Sequence, residues 1–309
     1  MKLFEKTIAK PIIIKPLKLG FQLVSRPIRD KFPLLTSHRD FAWKVQRRIR
    51  YDRNPKLITF ADKYMVKELA AKWGISIAKL LYATKNPETI SFDKLPKNYF
   101  IKANHASSWN ISCFNSRLFL FGNGSTLIDD DGRFIGTKER IELSRDRCIK
   151  ICREWMSAKY SRHEWAYHQI DPYIIVEEAL ETENPADFLD YRFYVFDGVV
   201  QCINVGSPRY RKKRQNVFFD RYWQTIPLTR YREALPDPIP AKPFQLAQMI
   251  QTAQILAKNT DFLRVDLYLV QETIVFGEIT IYPEAGLPDS PTSCPVFNKW
   301  LASLWKQNY

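Results

Sequence analysis

Apolar side chains recur at helical spacing in three stretches of the chain. Residues 62–73 predict a helix in which Asp62 is the N-cap and Gly74 ends the last turn. Residues 244–258 show an amphipathic pattern of the same kind. A long basic helix is predicted over residues 138–160. These are the helices that periodicity predicts outside the N-terminal region.

Other apolar stretches have the length and the turn signals of strands. Residues 99–103 follow a Pro-Lys-Asn turn and predict a strand, and residues 172–177 predict a buried one. A hairpin is predicted over residues 191–205 around Asp197-Gly198, and a second one over residues 263–279. Because the hairpins are antiparallel and strands do not alternate regularly with helices, the predicted fold class is α+β.

The first 55 residues form a strongly basic region in which cations stand beside aromatic residues. The clearest examples are Arg47, Arg48, Arg50 and Arg53, near Phe41, Trp43 and Tyr51. Several prolines exclude one long helix and favour short ones. The apolar residues at positions 12–21 either pack on the main domain or contact a membrane surface. We therefore predict a basic N-terminal helical region at 1–55 and a main domain at 56–309.

The formal net charge of +14 is the strongest signal in the composition. It favours a polyanionic partner, whether nucleotide, acidic glycan, anionic lipid or nucleic acid, and charge alone does not choose among them. A solvated basic surface is the alternative. The longest apolar runs are far shorter than the ~20 residues of a membrane-spanning helix, and the N-terminus lacks the pattern of a secretory signal. We therefore expect a globular, cytoplasmic protein.

The cysteines favour the same compartment. There are five, an odd number spread over a long chain, which is typical of reduced thiols rather than a disulfide framework. Cys148 and Cys152 lie one helical turn apart and, with His163 and His168, offer four zinc ligands. The ligand spacings usual for zinc are absent, however. Packing of both thiols in an apolar helix face is the better explanation.

Familiar phosphate-binding loops are absent, since neither Gly-x-x-x-x-Gly-Lys-Ser/Thr nor Gly-x-Gly-x-x-Gly at a helix start occurs. The second predicted hairpin instead carries charged and polar residues at the period of two that gives each strand a shared face: Arg264, Asp266, Glu278 and Thr280. Two carboxylates that meet across a hairpin repel unless a cation lies between them, and Mg²⁺ is the natural candidate. Alternatively, Asp266 and Glu278 are exposed to solvent and pair with nearby cations, or Arg264 simply forms a salt bridge with one of these carboxylates.

Six short motifs occur in an order that resembles one enzyme family. They are Asp62-Lys63-Tyr64 at a helix start, Phe100-Ile-Lys102-Ala-Asn104-His105, Ile174-Ile-Val-Glu177, Asp190-Tyr-Arg192-Phe, Arg264-Val-Asp266-Leu-Tyr and Phe276-Gly-Glu278. The ordered set resembles the ATP-grasp fold, and within it the TupA-like branch associated with teichuronopeptide and surface-polysaccharide biosynthesis. The resemblance covers roughly residues 40–290. It implies two α+β lobes with antiparallel sheets that grip ATP, joined by a hinge near residues 172–180.

The resemblance also implies roles for individual residues in nucleotide binding. Lys63 and Lys102 would contact the ATP phosphates from two different elements, whereas without the resemblance each would be taken as a surface residue. The loop after Lys102 would cover the phosphates through His105, Ser107 and Ser108, although it lacks glycine. His105 could serve as a general base, but orienting the loop or a phosphate is the favoured role.

Further roles fall on strands. Glu177 and the backbone after it would read the adenine edge; otherwise this is the charged end of a buried strand. Asp190 and Arg192 would face the nucleotide or the acyl phosphate. The Mg²⁺ ligands would be Asp266, Glu278 and Thr280, where many ATP-grasp enzymes have asparagine at the third position. Arg264 and Arg192 would be the catalytic cations.

Taken together, these roles imply an ATP- and Mg²⁺-dependent carboxylate–amine ligase that acts through an acyl phosphate. The basic charge favours an acidic surface glycan or its precursor as acceptor of an amino acid or peptide. The basic loop at 209–214 either docks such an acceptor or is solvated. Two alternatives stay open: a non-catalytic protein that binds nucleic acid or acidic glycan, and an ATP-grasp kinase of a sugar or alcohol. For the ligase, nucleic acid is not an expected partner, and the basic N-terminus could contact the inner face of the membrane.

Overall fold

The structure is a computed structural model that describes residues 40–120, 127–128, 134–135, 141–161, 163–180, 189–206, 216–226, 239–287, 294–307 and 309. Its helices are α1 (Phe41–Tyr51), α2 (Lys56–Ala61), α3 (Met65–Lys72), α4 (Arg145–Ser157), α5 (Trp165–His168), α6 (Leu246–Leu256) and α7 (Pro295–Leu304). Short 3-10 turns lie at Pro87–Thr89, Phe92–Lys94 and Pro283–Gly286. None of the helices in these ranges is long and apolar enough to cross a bilayer.

The first sheet contains β2 (Leu80–Thr84), β3 (Tyr99–Ala103), β4 (Asn110–Phe114), β5 (Arg117–Leu120), β8 (Ile141–Leu143) and β9 (Ile174–Glu178). The strands lie in the order β2-β9-β3-β4-β5-β8, and neighbours are antiparallel. A separate short pair is formed by β6 (Leu127–Ile128) and β7 (Phe134–Ile135). Helix α4 completes the core of the first sheet, because it buries Cys148, Cys152 and Trp155 together with Ile101 and Val176.

The second sheet contains β1 (Ser76–Ile77), β10 (Asp190–Phe196), β11 (Val199–Gly206), β12 (Asn216–Asp220), β13 (Phe262–Val270) and β14 (Thr273–Thr280). The order is β1-β14-β13-β10-β11-β12, and only the β1–β14 pair is parallel among these strands. Helix α6 buries Met249 and Leu256 in its core, and α1 and α7 pack Phe41 and Trp305 against Phe262. Two antiparallel-rich sheets with helices confirm the predicted α+β class.

Both predicted hairpins are present. Asp197 and Gly198 join β10 to β11 with φ of 45° and 76°, and Gln271 and Glu272 join β13 to β14 with φ of 46° and 66°. Left-handed backbone at both central residues is what a two-residue type I′ turn requires. The second hairpin adopts it without glycine, so the surrounding strand pairing must offset the steric cost.

The long helix predicted over residues 138–160 is only partly correct. Residues 136–140 lie outside the described part of the chain. Residues 141–143 form β8, which pairs with β5, and the helix begins at Arg145 and ends at Ser157. Ser144 divides the two elements because its Oγ accepts a hydrogen bond from the backbone N–H of Arg147, which is an N-cap contact.

The helix predicted over residues 62–73 is confirmed as α3, with a turn in front of it. Asp62 Oδ1 accepts hydrogen bonds from the backbone N–H groups of Tyr64 and Met65, at 2.8 and 3.3 Å. The predicted capping residue therefore serves the N-terminal turn, although the helix proper begins at Met65. This turn fixes the backbone at Lys63 and therefore the direction in which its side chain extends.

Within the basic N-terminal region, residues 1–39 lie outside the described part of the chain. Helix α1 packs on the second sheet and carries a fully buried arginine, Arg48. Its Nη1 donates to the carbonyl oxygens of Phe262 and Ile281, at 2.8 and 3.3 Å, and its Nη2 pairs with Asp261. The guanidinium also lies 4.5 Å from the centre of the Trp305 ring. At least one cation of this region therefore stabilises the fold instead of attracting a partner.

Candidate active site

A group of lysines surrounds one buried carboxylate on the first sheet. Lys102 on β3 places Nζ 2.6 Å from Oε2 of Glu177 on β9, and Lys67 on α3 places Nζ 3.2 Å from Oε1. Glu177 is 1% exposed and Lys67 is 6% exposed, whereas Lys102 keeps an opening to solvent. Lys63, one turn before Lys67, belongs to the same electrostatic group.

Burial and charge act against each other in this group. Burial lowers the pKa of Lys63 and of Lys67. Burial alone would raise the pKa of Glu177, but the ammonium groups of Lys102 and Lys67 outweigh it and lower that pKa to about 2. Three ammonium groups thus stand around one ionised carboxylate. The surplus of positive charge suits a polyphosphate.

The second sheet presents the predicted carboxylate pair. Asp266 and Glu278 are direct cross-strand partners in β13 and β14, and Arg264 is the partner of Thr280, so these residues share one face as predicted. Arg264 donates from Nε and Nη2 to the two oxygens of Asp266, at 2.8 and 2.6 Å. Its Nη2 also lies 3.5 Å from Glu278 Oε1. The predicted salt bridge of Arg264 is therefore present, and it involves both carboxylates.

Asp190 and Arg192 lie on the adjacent strand. Arg192 is the cross-strand partner of Asp266, which brings β10 into the same charged face. Its Nε and Nη2 donate to Asp190 Oδ2 at 2.9 and 2.5 Å. The other oxygen, Asp190 Oδ1, is buried and has no hydrogen-bond partner among the described residues. A buried, unpaired acceptor is costly, so this atom is a point where a ligand or metal gains a contact.

The two sheets meet at this charged face. The negative charge of Glu278 is the largest of the neighbouring charges that raise the pKa of Lys63, in opposition to burial. Glu278 also contributes to the environment of Lys67. Lys63 and Lys67 at helix α3, which packs on the second sheet, therefore lie within electrostatic range both of Glu177 on the first sheet and of Glu278 on the second.

The predicted phosphate-covering loop joins β3 to β4. The backbone N–H of Ala103 donates to the carbonyl oxygen of Trp109, which closes the loop at its base, and Ser108 has a left-handed φ of 64°. Ser107 and Ser108 are partly exposed, as a ligand-facing loop requires. The loop is therefore short and closed, and its one left-handed position is occupied by serine.

The side chain of His105 is enclosed by protein contacts. It is buried, and its Nδ1 lies 3.2 Å from Asn104 Oδ1 while its Nε2 lies 3.1 Å from the carbonyl oxygen of Trp155 on α4. Burial lowers its pKa, so the ring is neutral near pH 7. Both ring nitrogens face acceptor oxygens, and because a neutral ring has one N–H it donates to one of the two, which orients the loop. A direct contact of His105 with phosphate stays a prediction.

Two residues of the site were not predicted from the sequence. Lys67 pairs with Glu177, and the available signal was its position four residues after Lys63 on a helix face that is otherwise apolar. Asn104 donates from Nδ2 to Asp62 Oδ1 and accepts the backbone N–H of Tyr173 at its Oδ1, at 3.0 and 2.7 Å. It thereby ties the start of α3 to the end of β3 and to β9. Asp62 and Tyr173 are too distant from Asn104 in sequence for these hydrogen bonds to be predicted.

The donors present fit magnesium and ATP. Carboxylate oxygens are the ligands that Mg²⁺ prefers, and one or two of them with phosphate oxygens and water complete its shell. Burial raises the pKa of Asp266 to about 6 despite Arg264, so this carboxylate is stabilised by a further cation. Glu278 is more open, with its side chain 35% exposed. Together with the lysines, these groups can hold a metal-bound triphosphate.

The zinc alternative finds less support in the structure. All five cysteines are free and buried, and Cys148 and Cys152 pack in the core of the first sheet. His168 Nε2 is engaged by the carbonyl oxygen of Ser161. Within the described ranges, no group of three or more histidine, cysteine, aspartate or glutamate side chains is placed to hold a metal ion. Any Mg²⁺ bound here would therefore take part of its shell from phosphate and water.

Comparison with known families gives one match over most of the chain. A family model described as TupA-like ATPgrasp matches residues 43–301. Among curated proteins, none matches the sequence.

Solved structures with a similar arrangement are distant in sequence. The D-alanine–D-alanine ligase from Bacillus anthracis complexed with ATP is 13% identical, with a TM-score of 0.42 over 80% of this chain and 63% of that chain. A Chryseobacterium gregarium RiPP-associated ATP-grasp ligase, in complex with ADP and a leader and core peptide, is 13% identical, with a TM-score of 0.38 over 85% and 61%. The macrocyclase MdnC bound with precursor peptide MdnA, from Microcystis aeruginosa MRC, is 13% identical, with a TM-score of 0.39 over 93% and 74%. The chain spans less than two thirds of the length of the first two ligases.

Proposed function

The chain belongs to the TupA-like ATP-grasp family, and from this premise we propose that it is an ATP- and Mg²⁺-dependent ligase that joins a carboxylate to an amine through an acyl phosphate. The observation that carries the proposal is the meeting of two opposite charge groups. Lys63, Lys67 and Lys102 lie on one side, and Asp266 and Glu278 lie on the other. A metal-bound triphosphate matches both groups, because its phosphates are attracted by the lysines and its metal ion by the carboxylates.

In the proposed reaction, Lys63, Lys67 and Lys102 bind the phosphates of ATP. Lys102 is more accessible than Lys67, and Glu177 positions both. Mg²⁺, when bound, would neutralise charge on the phosphates. Asp266 and Glu278 would hold it, with Thr280 at the position where many ATP-grasp enzymes have asparagine. Ser107, Ser108 and His105 would shape the loop over the phosphates, and Glu177 with the following backbone would lie near adenine.

The first chemical step forms a bond between a carboxylate oxygen and the γ-phosphorus and breaks the bond to ADP. Arg264 and Arg192 would lower the repulsion between the carboxylate and the triphosphate, since both guanidinium groups keep their positive charge throughout the reaction. In the second step, the amine nitrogen attacks the acyl carbon, inorganic phosphate leaves and the nitrogen loses a proton. The protein would contribute mainly alignment and charge neutralisation. Asp190 Oδ1 is available to accept a hydrogen bond from a bound substrate.

We extend the proposal to the substrates and the compartment. An amino acid or peptide would be joined to an acidic surface glycan or its precursor; the net charge of +14 supports an acidic partner. The basic loop at 209–214, which lies outside the described residues, would dock this acceptor. The enzyme would be cytoplasmic, and its basic N-terminal region at 1–55, ahead of the main domain at 56–309, would contact anionic lipid at the inner face of the membrane.

Calorimetric titration with ATP tests the proposal. We expect the wild type to bind ATP more tightly with Mg²⁺ than without it, and Lys102→Ala and Asp266→Ala each to weaken Mg²⁺-dependent binding at least 10-fold, which is about 1.4 kcal/mol. Lys85→Ala is a matched control, because Lys85 also pairs with a carboxylate, that of Asp171, but both side chains are exposed.

A folded wild type that binds no nucleotide would refute the proposal and favour a non-catalytic polyanion-binding protein. A stable phosphorylated product without amide formation would instead point to a sugar or alcohol kinase.

A further inference from the structure

The guanidinium of Arg192 is held by contacts at four of its N–H positions. Nε and Nη2 donate to Asp190 Oδ2, and Nη1 donates to Asn204 Oδ1 at 2.9 Å and to Asn216 Oδ1 at 3.3 Å. A guanidinium has five N–H donors in one rigid plane. These contacts therefore fix both the position of the group and the tilt of its plane, and leave one N–H for a ligand.

Gly206 lies directly beside this network. It is the cross-strand partner of Asp190 on one side and of Asn216 on the other. A Cβ at position 206 would lie 3.2 Å from Arg192 Nη2 and 3.2 Å from Asn216 Oδ1. The φ of Gly206 is not left-handed, so the backbone conformation does not require glycine here. What requires it is the close approach of the Arg192 side chain.

The two asparagines orient Arg192 without neutralising it. Asn204 Nδ2 donates to the carbonyl oxygen of Val217 at 3.5 Å, which turns its Oδ1 towards the guanidinium. Amide oxygens accept hydrogen bonds but carry no net charge. If carboxylates stood at these positions, they would cancel the positive charge. The asparagines therefore align the cation without adding to the negative charge that Asp190 already sets against it.

We propose that Asn204, Gly206 and Asn216 are positioning residues that hold the Arg192 guanidinium against the phosphoryl group during its transfer. This inference rests on the proposed function, in which Arg192 faces the acyl phosphate. A misplacement of about 1 Å in an aligned site can cost on the order of 100-fold in rate. A Cβ contact of 3.2 Å requires its neighbours to move by a few tenths of an ångström, so we expect a smaller loss, without direct contact with the substrate.

The test compares two glycines of the same hairpin. Gly206→Ala crowds Arg192. Gly198→Ala strains the left-handed turn at the other end of the hairpin, where the added Cβ meets no atom within 4 Å, so it controls for destabilisation of the hairpin. The probe is aluminium fluoride with MgADP, a mimic of the transferring phosphoryl group, measured by calorimetry. We expect Gly206→Ala to weaken aluminium fluoride-dependent binding about 10-fold while MgADP alone binds as in the wild type. Gly198→Ala should leave both affinities unchanged.

A double-mutant cycle separates positioning from a general structural effect. In the Arg192→Ala background, Gly206→Ala should have no further effect, because the group that it displaces is gone. Asn204→Ala provides a second variant that adds no volume, and it should weaken the same binding several-fold. ¹⁵N-arginine labelling adds a readout without ligand: the Arg192 Nε–H signal should shift in Gly206→Ala and not in Gly198→Ala.

The outcomes distinguish this inference from the proposed function. Wild-type affinity for aluminium fluoride in Gly206→Ala, or an equal loss in the Arg192→Ala background, would refute the positioning role while the ligase proposal stands. A folded wild type that binds no MgADP would refute the proposed function and, with it, this role. An unchanged Nε–H signal in Gly206→Ala would show that the glycine does not set the guanidinium.

Discussion

Glu177 should determine both the stability of the first sheet and its response to acid. The pKa of this carboxyl is lowered from 4.5 to about 2, and the group is almost completely buried. That difference corresponds to about 3 kcal/mol, at ~1.4 kcal/mol per pH unit. Because the folded-state pKa is below the unfolded-state value, the contribution is complete above pH 4.5. It is lost as the pH falls from about 5 towards 2.

The perturbation is Glu177→Gln, which keeps the shape of the side chain and removes its charge. Lys67 then becomes a buried cation without its nearest counterion, and Lys102 loses its 2.6 Å partner. We expect the free energy of unfolding at pH 7, measured with urea, to fall by about 3 kcal/mol relative to the wild type. The gap between the two proteins should narrow as the pH is lowered through 4 and towards 2.

Glu142→Gln is the matched control. Glu142 also accepts hydrogen bonds from an arginine, Arg117, but both side chains are exposed. Water and salt screen such a pair, so its removal should change stability little at any pH. Parallel stability–pH curves for the wild type and Glu177→Gln would refute the reasoning. They would mean that the lysines do not hold Glu177 ionised in the folded protein.

Three further predictions concern other parts of the chain. Arg48→Ala should lower the free energy of unfolding by about 3–5 kcal/mol in urea denaturation, because it leaves the buried Asp52 and the partly buried Asp261 without their guanidinium. A loss below about 1 kcal/mol would contradict this. Ser108→Gly should raise the free energy of unfolding by up to about 1 kcal/mol, because it relieves the left-handed strain at φ 64°. A lower melting temperature would show that the hydroxyl is needed. Thr280→Asn should strengthen Mg²⁺-dependent ATP binding several-fold in calorimetry, since an amide oxygen is a better ligand than a hydroxyl, whereas unchanged affinity would place the metal away from this residue.

The local patterns of the sequence were sufficient for the two hairpins of the second sheet. The Asp197-Gly198 turn signal and the period of two in β13 and β14 predict that Arg264, Asp266 and Glu278 share a face, because strand geometry alone determines that outcome. Ser144 was a local signal too, but it was missed, and the helix after it was consequently begun too early. A capping residue can begin a helix in the middle of a stretch with helical periodicity. Capping signals must therefore be located before the bounds of a helix are assigned from periodicity.

Contacts between distant segments could not be predicted in the same way. Glu177 was assigned to adenine, yet its side chain is engaged by lysines 75 and 110 positions away in sequence. Arg48 was counted with the cations of the basic N-terminal region, but it is buried against the Trp305 ring and donates to the carbonyl oxygen of Phe262. In both residues a charge is buried because a partner from another element is available. A single sequence shows which residues are charged, but it does not show which distant residue pairs with each of them.

The arrangement of charges gives a reason for the proposed magnesium dependence that does not require any one metal ligand to be assigned. Around Glu177 of the first sheet, the three ammonium groups of Lys63, Lys67 and Lys102 leave a surplus of positive charge. On the second sheet, the carboxylates of Asp190, Asp266 and Glu278 outnumber the guanidinium groups of Arg192 and Arg264. Free triphosphate would be attracted by the first group and repelled by the second. A divalent cation on the phosphates reverses that repulsion, so the second sheet should contribute to binding only when the metal is present.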